Sequence, residues 1–412
     1  LSAPGTRRKV LVLGGGFAAF RFVRELGREA YDATLAAPRN HFLFTPLLPS
    51  TTVGTLEFRS ILEPLRNQDN AEFQLMAAES VDTARRVVTG SSPLDGRPME
   101  LSYDDLIIAV GAVPGTFGIP GVADHATFLK EMRDSRVIRR RVLDCLEMAS
   151  APGLAPAERA RLLTFVVVGG GPTGVEFAAE LHDFLQDDVR KLYPAEVRDA
   201  RIILLEALPK LLGAFDQSLS EYTAKRFHRV NIDVRTERRV VNVADDRLAL
   251  HDGTEISFGL LVWATGNAPT DFVKGLPLPK DGAGRLLVGP DLKVKDQESI
   301  YALGDCSLIE GDPLPATAQV AEQQGRYLAR AFRARAAGKD AGPFVYKKMG
   351  MLAYVGGNRA VADLPGIKGR GFVTFLFWRS VYLSKLVSAR NRVLVLFDWV
   401  KSHVLGRDLS RF

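Results

Sequence analysis

Two strand–glycine-turn–helix signatures, one opening at Gly14 and the other at Gly169, leave this chain few folds to choose from. In each, an apolar and β-branched run, Val10-Leu11-Val12-Leu13 or Phe165-Val166-Val167-Val168, reads as a strand buried on both faces of a parallel sheet. The glycines that follow, Gly14, Gly15 and Gly16 or Gly169, Gly170, Gly171 and Gly174, permit a tight turn and close approach of the backbone to a pyrophosphate. The next helix aims its N-terminal N–H groups at that charge. One such motif is weak evidence, because glycine turns after strands are common. Here each has a downstream partner: Leu106–Val110 ending at Gly111, and Leu260–Ala264 ending at Gly266, both closed by a proline, Pro114 or Pro269. The chain therefore contains an internal duplication. A third strand and turn, Ile300–Leu303 into Gly304 and Asp305, returns after the second copy. The expected fold is α/β, with two Rossmann-like dinucleotide-binding domains. The first is split over residues 1–118 and 291–345, the second is inserted at 119–290, and a separate segment runs from 346 to 412.

Composition narrows the chemistry. With 412 residues, 46% hydrophobic and 25% charged, there is chain enough for two or three packed domains. The two cysteines, Cys145 and Cys306, lie far apart with no C-x-x-C or C-x4-C spacing. A disulfide framework, a zinc site and a redox-active dithiol are therefore not expected, and Cys306 reads as a buried small residue. The sequence starts at Leu1, as after removal of a leader or where further residues precede it.

The net charge of +6 is concentrated at one end: residues 347–412 hold 12 Lys/Arg and three Asp/Glu. The same segment is aromatic. On a helix, Phe372, Phe375, Leu376, Trp378, Tyr382, Leu383 and Leu386 fall on one broad side, with Thr374, Ser380, Ser384, Lys385 and Ser388 mostly opposite. Val393, Leu396, Phe397, Val400 and Val404 form a second stripe. No run approaches the roughly 20 apolar residues that span a bilayer. Cationic, aromatic, amphipathic helices lie in the membrane interface, so residues 372–412 are expected to meet an anionic membrane surface. The competing reading packs the stripes on the body of the protein or on a second copy of the chain as a homodimer. Nucleic acid is a poor match for such apolar faces.

Several blocks carry a more specific likeness. Pro38–Ser50 (PRNHFLFTPLLPS), Gly54-Thr55, Arg59–Pro64 (RSILEP), Gly169–Glu176 (GGGPTGVE), Pro315–Gln324 (PATAQVAEQQ), Phe377–Lys385 (FWRSVYLSK) and Ser388-Ala389-Arg390 resemble the type II NADH dehydrogenases of eukaryotic mitochondria, single-chain NADH:ubiquinone oxidoreductases. The likeness runs from about residue 8 to the last residues; the 315–324 block and the tail discriminate better than the glycine loops.

The resemblance implies FAD on the first loop (Gly14, Gly16, and Ala19 in the third position) and NADH on the second (Gly169, Gly171, Gly174). Where an acid for the adenosine ribose is expected after the second strand, Ala36-Ala37-Pro38-Arg39 stands instead, and Arg39 becomes the expected adenosine or phosphate contact. Asp305 corresponds to the acid beside the flavin ribityl or pyrophosphate. Thr45, with Pro46 and Leu47, is expected beside the flavin in the first domain. Glu206 ends a strand and, accepting bonds from both ribose hydroxyls, favours NADH over NADPH. Its distance from Gly174 exceeds the usual ~20 residues, which implies an extra helical stretch near Asp183–Tyr193. Glu176 is the candidate nicotinamide contact or proton relay; an ordinary acid in the first helical turn is the plain alternative. Gln319 and Gln323, four apart on one helix face, are expected at the quinone edge of the flavin, with Glu322 pointing elsewhere. The turns at Gly111 and Gly266 complete the dinucleotide sites. No metal is expected, and no EF-hand loop occurs. A peripheral place on the mitochondrial inner membrane follows from the resemblance; the side of the membrane does not.

Two rivals stay in play. A sulfide:quinone oxidoreductase shares fold and quinone but needs reactive cysteines. A catalytically silent subunit of a membrane complex would keep the nucleotides as ligands only, for which Glu176, Gln319 and Gln323 would be superfluous.

Overall fold

The duplication expected from the two glycine loops recurs hydrogen bond for hydrogen bond. The computed structural model describes residues 7–410. In chain order, β1 (Arg8–Leu13) leads into α1 (Phe17–Leu26), β2 (Tyr31–Ala37), β3 (Glu72–Leu75) and β4 (Asp105–Ile108). Next come β5 (Thr127–Phe128), β6 (Thr164–Val168), α2 (Pro172–Phe184), β7 (Arg201–Leu205), β8 (Ile232–Arg235) and β9 (Leu260–Trp263). After β10 (Ile300–Ala302) and α3 (Ala318–Ala336), the chain closes with β11 (Met351–Tyr354), β12 (Ala360–Leu364), β13 (Ile367–Gly371), α4 (Phe372–Lys385) and α5 (Ala389–Leu405).

Two five-stranded parallel sheets result, ordered β10-β4-β1-β2-β3 and β5-β9-β6-β7-β8. Each glycine-loop strand is central: Leu13 pairs with Ala36 and Ile108, Val168 with Leu205 and Trp263. Gly14 N donates to Ala36 O and Gly169 N to Leu205 O, both at 2.8 Å. Both glycines have φ +114°. A Cβ at Gly14 would overlap the Ala109 carbonyl, and one at Gly169 would lie 2.9 Å from Ala264 O, so the neighbouring strand's backbone itself demands glycine.

The chain divides into two compact units. The first comprises residues up to Phe42, Glu63–Val113 and Asn267–Lys347; the second comprises Leu43–Leu62, Pro114–Gly266 and everything from Lys348. These divisions differ from those read in the sequence in three main places, the last being that the segment read as separate from 346 on packs, from Lys348, with the second unit. Residues 267–290 pack with the first unit, and Leu43–Leu62, which carries Thr45, packs with the second. The second difference corrects the placement of Thr45 in the first domain. Its cause is polar: Ser50 and Thr55 donate to Glu180 on α2 (2.6 and 2.7 Å), and Asn391 Nδ2 on α5 donates to Ser60 O and Leu62 O (2.8 and 2.9 Å).

In the first unit, α1 and α3 pack closely because Gly325 has no Cβ to strike the Ala18 carbonyl, and Phe22 meets Phe332 edge-on at 5.4 Å. In the second, Val166, Ile203, Leu205, Leu248, Leu261 and Trp263 build the core under β6. The helix after the second loop continues beyond α2 through a wide π turn, Leu185–Val189, to Leu192, which accounts for the lengthened path to Glu206.

The two terminal helices are built differently from the simple amphipathic picture. On α4, Phe375 and Trp378 face inward together with Thr374, expected on the polar side, while Phe372, Val373, Leu376 and Phe377 face outward. On α5 the polarity is inverted. Asn391 and Asp398 are buried with Val395 and Trp399, whereas Val393, Leu396, Phe397, Val400 and Val404 are 51–70% exposed. Asp398 is satisfied there by Ser60 Oγ (2.6 Å) and Glu57 N (3.0 Å). No helix among the described residues is long and apolar enough to cross a membrane.

Candidate functional site

Both glycine loops end on a helix whose first turn offers bare N–H groups. Gly16 caps α1 and Gly171 caps α2, neither helix has a side-chain cap, and no acid occupies either first turn. A Cβ at Gly16 or Gly171 would meet no protein atom within 4 Å, so packing does not require glycine at these points. What the bare backbone serves lies in front of the helix, and a pyrophosphate fits it in geometry and charge. The third positions differ. A Cβ at Gly174 would strike the Gly169 carbonyl, whereas Ala19, fully buried in α1, already carries one.

Glu206 closes the second cradle. Its Oε2 accepts from Gly170 N (2.6 Å) and its Oε1 from Leu208 N (2.7 Å), which fixes the carboxylate at the end of β7 beside the loop. Each oxygen keeps a lone pair for a ribose hydroxyl. Gly266, at φ +77°, stands against Gly115 O and the Phe117 ring in this unit. In the first unit Gly111 turns at φ +70°, and Arg39 is half-buried just after β2. Asp305 sits in the short turn Gly304–Cys306 and borders a cleft with Arg285, Ser307, Pro315 and Gln324. The Cys306 thiol braces that turn by donating to Leu303 O (3.2 Å) and Ile108 O (3.4 Å).

Of the two glutamines singled out in the sequence, Gln319 lies half-buried in the first turn of α3, behind the Thr317 cap. Gln323 forms a two-bond brace with the backbone of Lys347: its Nε2 donates to Lys347 O and its Oε1 accepts from Lys347 N, both at 3.0 Å. Glu322 points elsewhere, toward Arg21. Sequence reasoning missed Gln324, whose buried Oε1 accepts from Gly304 N (2.7 Å) and so ties α3 to the Asp305 turn.

The second unit holds an arrangement that the sequence hinted at only through Glu176. Along α2, Glu176, Glu180 and Asp183 share one face and are at most 6% exposed. Glu176 Oε1 accepts from Tyr354 N (3.0 Å) and Trp378 Nε1 (3.3 Å). Burial pushes its carboxyl up to about 8 despite these bonds. Both donors converge on Oε1. Glu180 accepts the Ser50 and Thr55 hydroxyls and lies 3.8 Å from Arg407 Nη2. Asp183 accepts from the Tyr354 hydroxyl (2.5 Å) and Gly357 N (2.8 Å). Tyr354, Trp378 and Arg407 come from the last sixty-five residues of the sequence, which explains why no local motif announced them.

The cysteines carry no thiolate chemistry. Cys145 and Cys306 are fully buried, and burial raises both thiols to about 11. Among the described residues no His/Cys/Asp/Glu group is arranged to hold a metal.

Comparison with known proteins agrees with this layout. The pyridine nucleotide-disulphide oxidoreductase family model matches residues 8–325, and that of the NDH2 C-terminal domain matches residues 349–408. A probable NADH dehydrogenase of Dictyostelium discoideum is 42% identical over 411 residues, covering 98% of this chain and 91% of its own. The mitochondrial external NADH-ubiquinone oxidoreductase 2 of Saccharomyces cerevisiae is 41% identical over 457 residues, covering 99% and 83%. The chain belongs to the type II NADH dehydrogenase family. The solved structure of NDH2 from Plasmodium falciparum in complex with NADH superimposes with a TM-score of 0.95 at 29% identity, over 98% of this chain and all of that one. A sulfide:quinone oxidoreductase from Aquifex aeolicus, at 20% identity and a TM-score of 0.72, shares the fold. Membership of the type II NADH dehydrogenases, with two inert thiols, disfavours the sulfide rival.

Proposed function

We propose that this chain is an NADH:ubiquinone oxidoreductase, using FAD, that works from the surface of a mitochondrial inner membrane without crossing it. The observation that carries this reading is the content of the second unit, where a dinucleotide loop with its ribose acid, a buried neutral carboxyl and two outward-facing apolar helices belong to one body. FAD supplies, when bound, the two-electron relay between NADH and quinone.

The chain's own residues supply the rest. Gly14, Gly16 and the α1 N-terminus hold one pyrophosphate, with Ala19 packing the helix, Arg39 at the adenosine end, and Gly111 and Asp305 along the remainder of the flavin. Gly169, Gly171 and Gly174 hold the other, and Glu206 accepts the ribose hydroxyls of NADH while repelling a 2′-phosphate. Gly266 turns the chain beside that site. Quinone reduction needs a proton in a place with little water, and the Glu176 carboxyl, pushed up to about 8 by burial, holds one at neutral pH. Gln319 and Gln323 face the quinone through their amides; Gln323, braced on Lys347, has one N–H and one lone pair to offer.

The apolar stripes of α4 and α5 form the membrane contact. Buried Asn391 and Asp398 fix the inner face of α5, so its apolar stripe faces outward among the described residues, and exposed Arg390 stands ready for anionic headgroups. Replacing Val393, Phe397 and Val400 together by Ser is expected to abolish co-sedimentation with anionic vesicles. Turnover with a lipid-dissolved quinone should fall by roughly tenfold or more, since each buried side chain contributes on the order of 1.5–3 kcal/mol. NADH oxidation by a water-soluble acceptor should be unchanged. Retained vesicle binding, or conversion of a dimer to a monomer in its place, would assign the stripe to a second copy of the chain.

A further inference from the structure

One large apolar side chain near the second glycine loop stands open to solvent. Phe117 is 68% exposed, and its backbone lies at φ +54°. A bulky residue there is an outlier, because the left-handed region suits glycine; Gly118, at φ +69°, follows it. Folding gains little from Phe117, since its ring buries little area and its backbone is strained.

The strain is held from both sides. Gly115 N donates to Gly266 O (3.2 Å), and Gly115 O accepts from the buried Trp263 Nε1 (3.0 Å). Beyond Phe117, Ile119 packs on the core under β6, Val243 N donates to Pro120 O (3.0 Å), and a Cβ at Gly121 would overlap Val243 O. The loop is thereby fixed, and it lays the Phe117 ring against Gly266. A Cβ at Gly266 would lie 2.8 Å from Phe117 Cζ, so it is glycine that lets the ring come this close.

That place has a meaning in the second sheet. The order β5-β9-β6-β7-β8 puts β7 on one hand of the glycine loop and β9 on the other. A dinucleotide is bipartite: its pyrophosphate sits on the loop, and one nucleoside lies to each side. The acid for the adenosine ribose, Glu206, stands at the end of β7, which leaves the end of β9 for the nicotinamide half. After β9 come Ala264, Thr265 and Gly266. A Cβ at Gly169 would lie 2.9 Å from Ala264 O and from Thr265 Cβ, so this turn is the loop's immediate neighbour. Gly169, Thr265, Gly266 and the Phe117 ring thus form one continuous wall within the second unit.

We propose that Phe117 is a binding residue for the nicotinamide ring of NADH, its side chain walling that half of the site. The inference rests on the reading of the second loop as the NADH site. Nicotinamide is flat, uncharged in NADH and cationic in NAD⁺. An aromatic side chain serves both forms, by stacking on the first and by cation–π attraction for the second. The bound ring also covers apolar surface that Phe117 otherwise leaves in water. The left-handed backbone is what aims an aromatic group at this point.

The test is a binding measurement on oxidised holoenzyme, in which neither ligand is turned over. ADP-ribose shares with NAD⁺ everything but the nicotinamide. By calorimetry, Phe117→Gly should weaken NAD⁺ by about tenfold, the scale of one aromatic contact, and leave ADP-ribose unchanged. Glycine adopts φ +54° without strain, so the variant folds, and its Tm should equal or exceed the parent's. A ring with a merely structural role would show the opposite, a lower Tm with unaltered binding. Phe117→Tyr, which keeps the aromatic face, should retain the parent's NAD⁺ affinity. In anaerobic stopped-flow, Phe117→Gly should need about tenfold more NADH for half-maximal flavin reduction, while reoxidation by a short-chain ubiquinone keeps its rate. Unchanged NAD⁺ affinity in Phe117→Gly, or an equal loss of ADP-ribose affinity, would overturn the proposal and leave the NADH reading of the loop intact. A parent that binds neither ligand would sink both.

Discussion

Glu176→Gln is expected to make the protein more stable in alkali and slower with quinone. The folded-state value of about 8 lies above the ordinary 4.5, so the stability linked to this group is fully present below pH 4.5 and is lost as pH rises through 8. At 1.36 kcal/mol per unit, the loss amounts to at most about 5 kcal/mol. Gln mimics the protonated acid and still accepts from Tyr354 N and Trp378 Nε1, so the variant avoids the loss. Its Tm should match the parent near pH 5 and exceed it by several degrees at pH 9. It has no acid proton to give, so reoxidation by quinone should slow by on the order of 100-fold. Parallel Tm curves from pH 5 to 9 would mean that Glu176 is an ordinary ionised acid.

Gly174→Val should leave the protein loaded with FAD yet nearly blind to NADH. The first Cβ already strikes the Gly169 carbonyl, and Val167 Cγ1 stands 3.5 Å away, so β6 and α2 must separate at the point where the pyrophosphate docks. A misplacement of about 1 Å costs on the order of 100-fold in rate, and flavin reduction by NADH should fall at least that far. The first loop lies in the other unit and is untouched, so the visible flavin spectrum should survive. Ala19 occupies the matching position there, and Ala19→Gly should change neither measurement appreciably. Loss of FAD from the Gly174 variant would mean that the two loops do not have separate ligands.

These two residues also mark where the sequence was legible and where it was not. The glycine loops announce themselves because strand, turn and helix are contiguous, and the steric demand at Gly14, Gly169 and Gly174 is met within a few residues or by the adjacent strand. The returning strand at Ile300 was legible for the same reason. The surroundings of Glu176 were not, since Tyr354 and Trp378 lie 178 and 202 residues away in sequence. Periodicity found the stripe on α5 but not its direction: an apolar stripe reads the same whether it faces a core or a membrane. Asn391 and Asp398, buried against the backbone of Glu57–Leu62, settle which face is inside. Helical spacing paired Gln319 with Gln323 but passed over Gln324, one residue on, because its role depends on Gly304 arriving from another strand.

The most direct measurement is anaerobic stopped-flow of the holoprotein, following flavin absorbance first with NADH and then with a short-chain ubiquinone. Rapid bleaching by NADH, followed by recovery on adding quinone, is the predicted result and establishes both half-reactions in one chain. A flavin that NADH fails to bleach, or one that bleaches and is not reoxidised by quinone, would contradict the account.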